Sequence, residues 1–339
     1  MTAARTDLSE LLQTLNSQAL LLRVLVSLAE HGIFDRLATG ARTARELADG
    51  ARLDEQALYR LLRFGASRGL MREDDAGAFH LAPGAEALSA ASPTSVRSRL
   101  RRPWQDLIWK SYERLPDMLR TGETAFDLAF GESFFDYLAA HRDLNTLFDD
   151  SMAQLSRMEN PLVAAGFRFA DFPWIVDVGG GLGGLLAAIL ETHPGVHGVL
   201  FEQPQVIAGV AEHFGSKLEG RWEAMEGDFF TAVPPGGDLY LLKRILHDWD
   251  DARARQILEN CRSALSPRAR LLVIDALMQA GNEPDPNKFM DVNIMALNGG
   301  RERTAAEFAA LFGETGLRLV SIKPLPQPVT LSLIEVALA

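Results

Sequence analysis

One cysteine, Cys261, is all the thiol chemistry this 339-residue chain contains. An intramolecular disulfide framework is therefore excluded, and the scarcity of thiols points to a reducing compartment. Cys261 falls in the helical spacing of Ile257, Leu258 and Leu265 and is expected to be a core thiol. Positive charge is also scarce: 34 Lys and Arg face 45 Asp and Glu, for a net charge of −11. That balance argues against non-specific nucleic-acid binding as the main task. The apolar stretch Leu20 to Leu28 is interrupted by Arg23 and Ser27 and is too short and too polar for a membrane span. The first ten residues lack a secretion-signal layout, and there are no internal repeats or low-complexity tracts. The expectation is a soluble cytoplasmic protein with neither nucleic acid nor membrane as partner. Its length suits two domains, and its 47% apolar content supports sizeable cores.

Residues 8 to 100 have mostly helical patterning. Leu11, Leu12, Leu15, Ala19, Leu22 and Val26 follow helical spacing until Gly32 stops the run. Thr43-Ala44-Arg45-Glu46 is a capping-box pattern that opens a short helix through Ala48. Asp54 opens another, with Leu58, Leu61 and Leu62 on one face, and the segments 69–72 and 75–81 read as a two-stranded wing. Helices followed by a wing make a winged-helix arrangement over 1–102. As a DNA reader it is poor: 14 Arg or Lys against 12 Asp or Glu in this region leave no basic stripe. A structural or dimerisation role fits better. Residues 103 to 165 read as further helices carrying large apolar groups, among them Trp104, Phe134, Met152 and Met158, which are core or pocket lining.

From Trp174 onward strand and helix alternate, which implies a mainly parallel sheet with helices on both faces. Strands are expected at 174–178, 197–202, 221–226, 238–243 and 270–275, and helices at about 182–193, 204–214, 251–265 and 304–314. Two final β-rich runs, Leu317 to Ile322 and Thr330 to Ala337, suggest an antiparallel edge. The first strand runs into Asp177-Val178-Gly179-Gly180-Gly181-Leu182-Gly183-Gly184. Such a glycine-rich turn lets a nucleoside ligand approach the backbone. Gly179, Gly181 and Gly184 satisfy G-x-G-x-x-G, a dinucleotide pattern. Gly179, Gly181 and Gly183, preceded by Asp177, satisfy G-x-G-x-G equally well. Glu202, ending the second strand, can accept from ribose hydroxyls in either case. Asp228 and Phe229 after the third strand offer an acceptor and an aromatic face for a base. After the fourth strand comes Lys243-Arg244-Ile245-Leu246-His247-Asp248-Trp249-Asp250-Asp251. This lies at the crevice where open α/β sheets place ligands. Asp248, Asp250 or Asp251 is expected to cap the next helix, and His247, with an ordinary pKa of about 6.5, suits a general base.

Taken in order, Asp-Val-Gly-Gly-Gly at 177–181, Phe-Glu-Gln-Pro at 201–204, Gly-Asp-Phe-Phe at 227–230, Leu-His-Asp-Trp at 246–249 and Gly-Gly-Arg-Glu-Arg-Thr at 299–304 resemble the S-adenosylmethionine (SAM)-dependent O-methyltransferases of the plant caffeate and bacterial antibiotic-tailoring type. The resemblance covers nearly the whole chain. It implies an α/β fold: a Rossmann-like class I methyltransferase domain (103–339 with its helical segment, core 165–339) and an N-terminal, mainly helical winged-helix dimerisation domain. It implies SAM as cofactor, S-adenosylhomocysteine as product, no metal, a homodimer and a small aromatic acceptor. Gly179, Gly181, Glu202, Asp228, Phe229, Lys243 and Trp249 would contact SAM. His247 would be the base, with Asp275 and Glu302 flanking and orienting it. Plant members often carry glutamate where this chain has the shorter Asp275. Met295, Asn298 and Met152 would face the acceptor. Competing readings are methylation of a ring nitrogen, which would not need His247; a SAM-retaining reaction that does not methylate; and a SAM-sensing DNA regulator.

Overall fold

The structure is a computed structural model that describes residues 7–207, 210, 214 and 218–339. The chain forms two compact units, Met1–Lys110 with Leu138–Met152, and Ser111–Tyr137 with Ala153–Ala339. The expected division at 102/103 differs from this in two respects. The break falls inside the helix Arg102–Tyr112, and the long helix Arg142–Gly166 begins in one unit and ends in the other. A continuous helix cannot be assigned to one side by composition alone.

In the first unit the helix Leu8–Glu30 is opened by Asp7, whose carboxylate accepts from the Ser9 and Glu10 N–H groups. Gly32, at φ 65°, turns the chain into the helix Ile33–Ala38. The Thr43/Glu46 capping box forms as expected, and its helix runs three residues further than the sequence pattern suggested, to Ala51. Asp54 caps the helix Glu55–Ala66. Strands β2 (Met71–Glu73) and β3 (Ala78–Leu81) form the wing, and a short strand not foreseen, β1 (Arg42–Thr43), adds to it in the order β1-β3-β2. Ile33, Phe34, Leu47, Leu62 and Phe79 are fully buried at the centre. The first helix is divided along its length. Val24, Val26, Leu28 and Ala29 are core, while Leu8, Leu12, Leu15 and Leu20 are 50–69% exposed. Taken whole, this 23-residue helix is long and apolar enough to cross a membrane by length and composition. The stretch 20–28 is only the C-terminal part of this longer apolar helix.

In the second unit the described residues form a seven-stranded sheet: β4 (Trp174–Val178), β5 (His197–Glu202), β6 (Trp222–Glu226), β7 (Leu239–Lys243), β8 (Arg270–Ala276), β9 (Leu317–Pro324) and β10 (Leu331–Leu338). The order is β6-β5-β4-β7-β8-β10-β9, parallel except for β10, which is antiparallel to both neighbours. All seven expected strands are present. β4, β7 and β8 are rich in Val, Leu and Ile because the sheet is covered on both faces there, whereas the edge strand β6 is largely exposed. One face packs Val176, Tyr240, Leu242 and Val273 against the helix Asp251–Ala264, where Cys261 is fully buried. The other packs Ile175, Leu200, Leu241 and Leu272 against the helix Gly184–Thr192. The helix expected at 204–214 is seen as Pro204–Ile207; most of the remainder lies outside the described residues. Strand order reverses beside β4, so the carboxyl ends of β4, β5 and β7 define the ligand crevice.

The turn after β4 depends on Gly183. Its φ is 77°, and a Cβ there would lie 2.4 Å from the Phe214 ring. Gly183→Ala is expected to cost about 2 kcal/mol in urea unfolding, combining backbone strain with overpacking. Gly220→Ala, at φ 76° with nothing within 4 Å, should cost only the backbone share, about 1 kcal/mol. Equal losses would mean that the close packing at Gly183 contributes nothing.

Candidate active site

The glycine loop is held by the acid that ends β5. Glu202 Oε2 accepts from the Gly181 N–H at 2.9 Å, and Oε1 accepts from the Gln203 N–H at 2.8 Å. Gly179 and Gly181 both have left-handed backbones, at φ 68° and 58°. At Gly179 a Cβ would strike Ile245 and Phe229, whereas at Gly181 it would meet nothing within 4 Å, leaving open space above the loop. Beneath it, Asp177 is 1% exposed and neither carboxyl oxygen has a hydrogen-bond partner. Burial pushes its pKa up to about 7, with Lys243 opposing and Glu202 adding to the shift. Lys243, at the end of β7, bonds Glu159 at 2.9 Å and Ser156 at 3.2 Å. Asp228 is exposed after β6, and its Oδ1 accepts from the Phe230 N–H. Phe229, Phe230 and Trp249 form an edge-to-face cluster, with Arg253 5.1 Å over the Trp249 ring.

His247 sits in the short turn Leu246–Asp248 that follows β7, and it is 8% exposed. Its Nδ1–H donates to Glu302 Oε1 at 3.1 Å. Asp275 on β8 approaches the same nitrogen only to 3.9 Å, too far for a hydrogen bond. Of the two acids expected to orient the imidazole, Glu302 makes the contact; the side chain of Asp275, one methylene shorter than glutamate, stops short. Asp275 is fully buried, and both of its oxygens lack partners. Burial and the nearby Glu302 charge raise its pKa to about 7 against the opposing charges of His247 and Arg244. On the other side of the ring, Asp248 Oδ1 lies 3.6 Å from Nε2. Burial alone would lower the imidazole pKa, but the charges of Asp248, Asp275 and Glu302 outweigh it and raise it to about 9.

The loop carrying Glu302 is stitched to the His247 segment through backbone groups. The Arg301 N–H donates to the His247 carbonyl at 2.9 Å. Arg303, 1% exposed, donates to the carbonyls of Leu246 and Trp249 and pairs with Asp251. A Cβ at Gly300 would lie 2.2 Å from the His247 carbonyl oxygen, so only glycine permits this approach. Asn298, expected to face an acceptor, has both ends of its amide engaged. Nδ2 donates to Asp248 at 2.8 Å, and Oδ1 accepts from the Gly300 N–H at 3.0 Å. Of the three aspartates offered as helix caps, Asp250 is the cap, while Asp248 serves His247 and Asn298. Met295 is half-buried on the helix Pro286–Leu297. Met152 belongs to the first unit.

Sequence reading missed Glu159 and Arg244. Glu159 is 1% exposed on the helix Arg142–Gly166 and accepts two bonds from Arg244 as well as one from Lys243. The available signal was that Ser156, Glu159, Asn160 and Val163 share one helical stripe, so two strongly polar residues fall where core is expected. Among the described residues no group of three or more His, Cys, Asp or Glu side chains could hold a metal ion.

Comparison with known proteins brings the same chemistry into view. Residues 112–318 match the O-methyltransferase domain family. A phenazine O-methyltransferase from Lysobacter antibioticus is 35% identical over 315 residues, covering 91% of this chain and 89% of that protein. The structure of a mitomycin 7-O-methyltransferase superposes with a TM-score of 0.90 at 35% identity over the full length of both chains. A methyltransferase of calicheamicin biosynthesis, solved with S-adenosylhomocysteine bound, gives 0.86 at 34% identity over 99% of this chain and 100% of that one. The residues here fit such a cofactor. They provide a glycine loop with open space at Gly181, an acid at the end of β5, a buried carboxyl with unpartnered oxygens and an aromatic cluster beyond β6.

The His247 environment can be tested directly. Removing a negative neighbour lowers an imidazole pKa. Glu302→Gln is expected to lower that of His247 from its value of about 9 by more than Asp275→Asn does, because only Glu302 supplies a hydrogen bond as well as charge. Ring-proton NMR titration measures both, and a larger effect from Asp275→Asn would assign the orienting contact wrongly here.

Proposed function

This chain belongs to the SAM-dependent O-methyltransferase family, and from that premise we propose that it methylates a hydroxyl of a small aromatic acceptor with His247 as general base. The observation that carries this reading is the buried His247, whose Nδ1–H is engaged by Glu302, leaving Nε2 as the nitrogen able to take a proton. SAM supplies a methyl group on a positively charged sulfur. Glu202, Asp228, Phe229, Trp249, Lys243 and the loop at Gly179 and Gly181 hold the cofactor in this reading. Asp177 is the buried partner for its polar end. Met295 lines the acceptor, where the polarisable, flexible side chain of methionine suits a flat aromatic guest.

His247 takes the hydroxyl proton onto Nε2 as the oxygen acquires the methyl group. Glu302 fixes the tautomer and stabilises the imidazolium that results, with Asp275 adding charge at longer range. Positioning can supply up to about 7–11 kcal/mol of the acceleration, and proton removal a further ~10²–10⁴-fold. An imidazole whose conjugate acid has a pKa near 9 is well matched to a phenolic hydroxyl of about 10. The same shift leaves most of it protonated at neutral pH.

Two outcomes follow for labelled methyl transfer to a panel of phenols and hydroxylated quinones. His247→Ala should lose ~10²–10⁴-fold; a rate that survives the change would point instead to a nitrogen acceptor or an oxygen ionised before binding. Only the neutral imidazole is a base, so kcat/KM should rise about tenfold per pH unit until it levels near 9. A flat profile between pH 6 and 9 would remove His247 from this role.

A homodimer is part of the same proposal, supported by the exposed leucines of the first helix: Leu8, Leu11, Leu12, Leu15 and Leu20. Exposed apolar patches of this kind mark interaction surfaces. Leu12→Glu with Leu15→Glu should give a monomer by sedimentation, and an unchanged mass would place any interface elsewhere. A cytoplasmic location also belongs to the proposal, supported by the single, buried thiol of Cys261.

A further inference from the structure

Successive residues of a strand point to opposite faces, yet Lys243 and Arg244 meet the same carboxylate. Lys243 Nζ lies 2.9 Å from Glu159 Oε2, and Arg244 donates to Glu159 from Nη2 at 2.5 Å and from Nε at 3.2 Å. The convergence is made by the backbone. Arg244 has φ 55°, a left-handed conformation shared among the described non-glycine residues only by Arg52. That conformation is strained for a residue bearing a Cβ, and glycine would be the relaxed choice there. The Arg244 N–H donates to the Ile274 carbonyl at 3.1 Å, one residue before Asp275. From there its charge acts on Asp275, Glu302 and Asp248, which are the acids around His247.

We propose that Arg244 is a positioning residue for the His247 site: its left-handed backbone turns the guanidinium into the buried cluster, Glu159 clamps it there, and its charge offsets the three carboxylates around the imidazole. The groups concerned are Asp248 beside His247, Asp275 on β8, Glu302 in the loop stitched to it, Asp291 (which accepts from the Glu302 N–H), and Lys243 and Glu159 behind Arg244. Removing one fixed positive charge raises every proton affinity in such a cluster, so its titration moves to higher pH.

The proposal rests on the site assigned above, and its test is chosen to be independent of methyl transfer. The His247 ring resonance, assigned by its loss in His247→Gln, is titrated in the full-length protein. Arg244→Met should raise the midpoint by about one pH unit. Arg244→Lys, which keeps the charge, should stay within a few tenths of the parent. Arg244→Gly should shift like Arg244→Met while unfolding no earlier than it, since glycine tolerates the backbone. An unmoved midpoint in a folded Arg244→Met, or equal shifts in Met and Lys variants, would overturn the role. If the shift is seen but no phenol is methylated, Arg244 keeps its role and the acceptor assignment fails instead.

Discussion

The site depends on one constraint: charge is buried at the carboxyl end of the sheet, and every charged group of it but Asp275 holds a hydrogen bond there. Isolated ions are expensive in a protein interior. His247, Glu302, Asp275, Asp248, Arg244, Glu159 and Lys243 form one continuous set in which the carboxylates slightly outnumber the cations. That excess raises the imidazole pKa to about 9, while burial first, with the Glu302 charge adding, raises that of Asp275 to about 7. The set is assembled from distant parts of the chain: the helix Arg142–Gly166, the segment after β7, β8 and the loop before the helix Ala305–Glu314. Folding of this unit and formation of its chemistry are therefore the same event.

The second constraint is the contact between two loops. Backbone pairing from Arg301 to His247, the buried Arg303 and the close approach at Gly300 hold the Glu302 loop against the His247 turn. Arg303 is spent wholly on this task. Its donors add to the Trp249 N–H at the Leu246 carbonyl and satisfy the Trp249 carbonyl, which left unpaired would cost on the order of 1–3 kcal/mol. Orientation of the base is thus built into main-chain geometry, with side chains completing it.

Much of this could be read from residue order, and the limits of that reading are physical. The central strands were legible because fully covered parallel strands are continuous apolar runs, and the capping box at Thr43 announces a helix by local hydrogen bonding alone; the matching box at Thr304 is seen only in the structure. His247 and Glu302 were legible through their motifs. What remained hidden depends on distance through space. No pattern tells that Asp275 falls short of Nδ1 at 3.9 Å, that Asn298 turns its amide to Asp248, or that Arg244 adopts a left-handed backbone. Glu159 left a trace, as a charge beside Asn160 on a helical stripe where core is expected, but its partner Arg244 lies 85 positions away.

Glu202 closes the glycine loop through the chain's own atoms, by accepting from the Gly181 N–H. A loop ordered in this way has lost its conformational freedom during folding, and so that entropy is not charged against ligand association. The carboxylate retains lone pairs for further donors, because each of its oxygens can accept more than one bond. In kinetic terms, a preformed loop of this kind favours rapid exchange of spent for fresh cofactor over slow capture by closure.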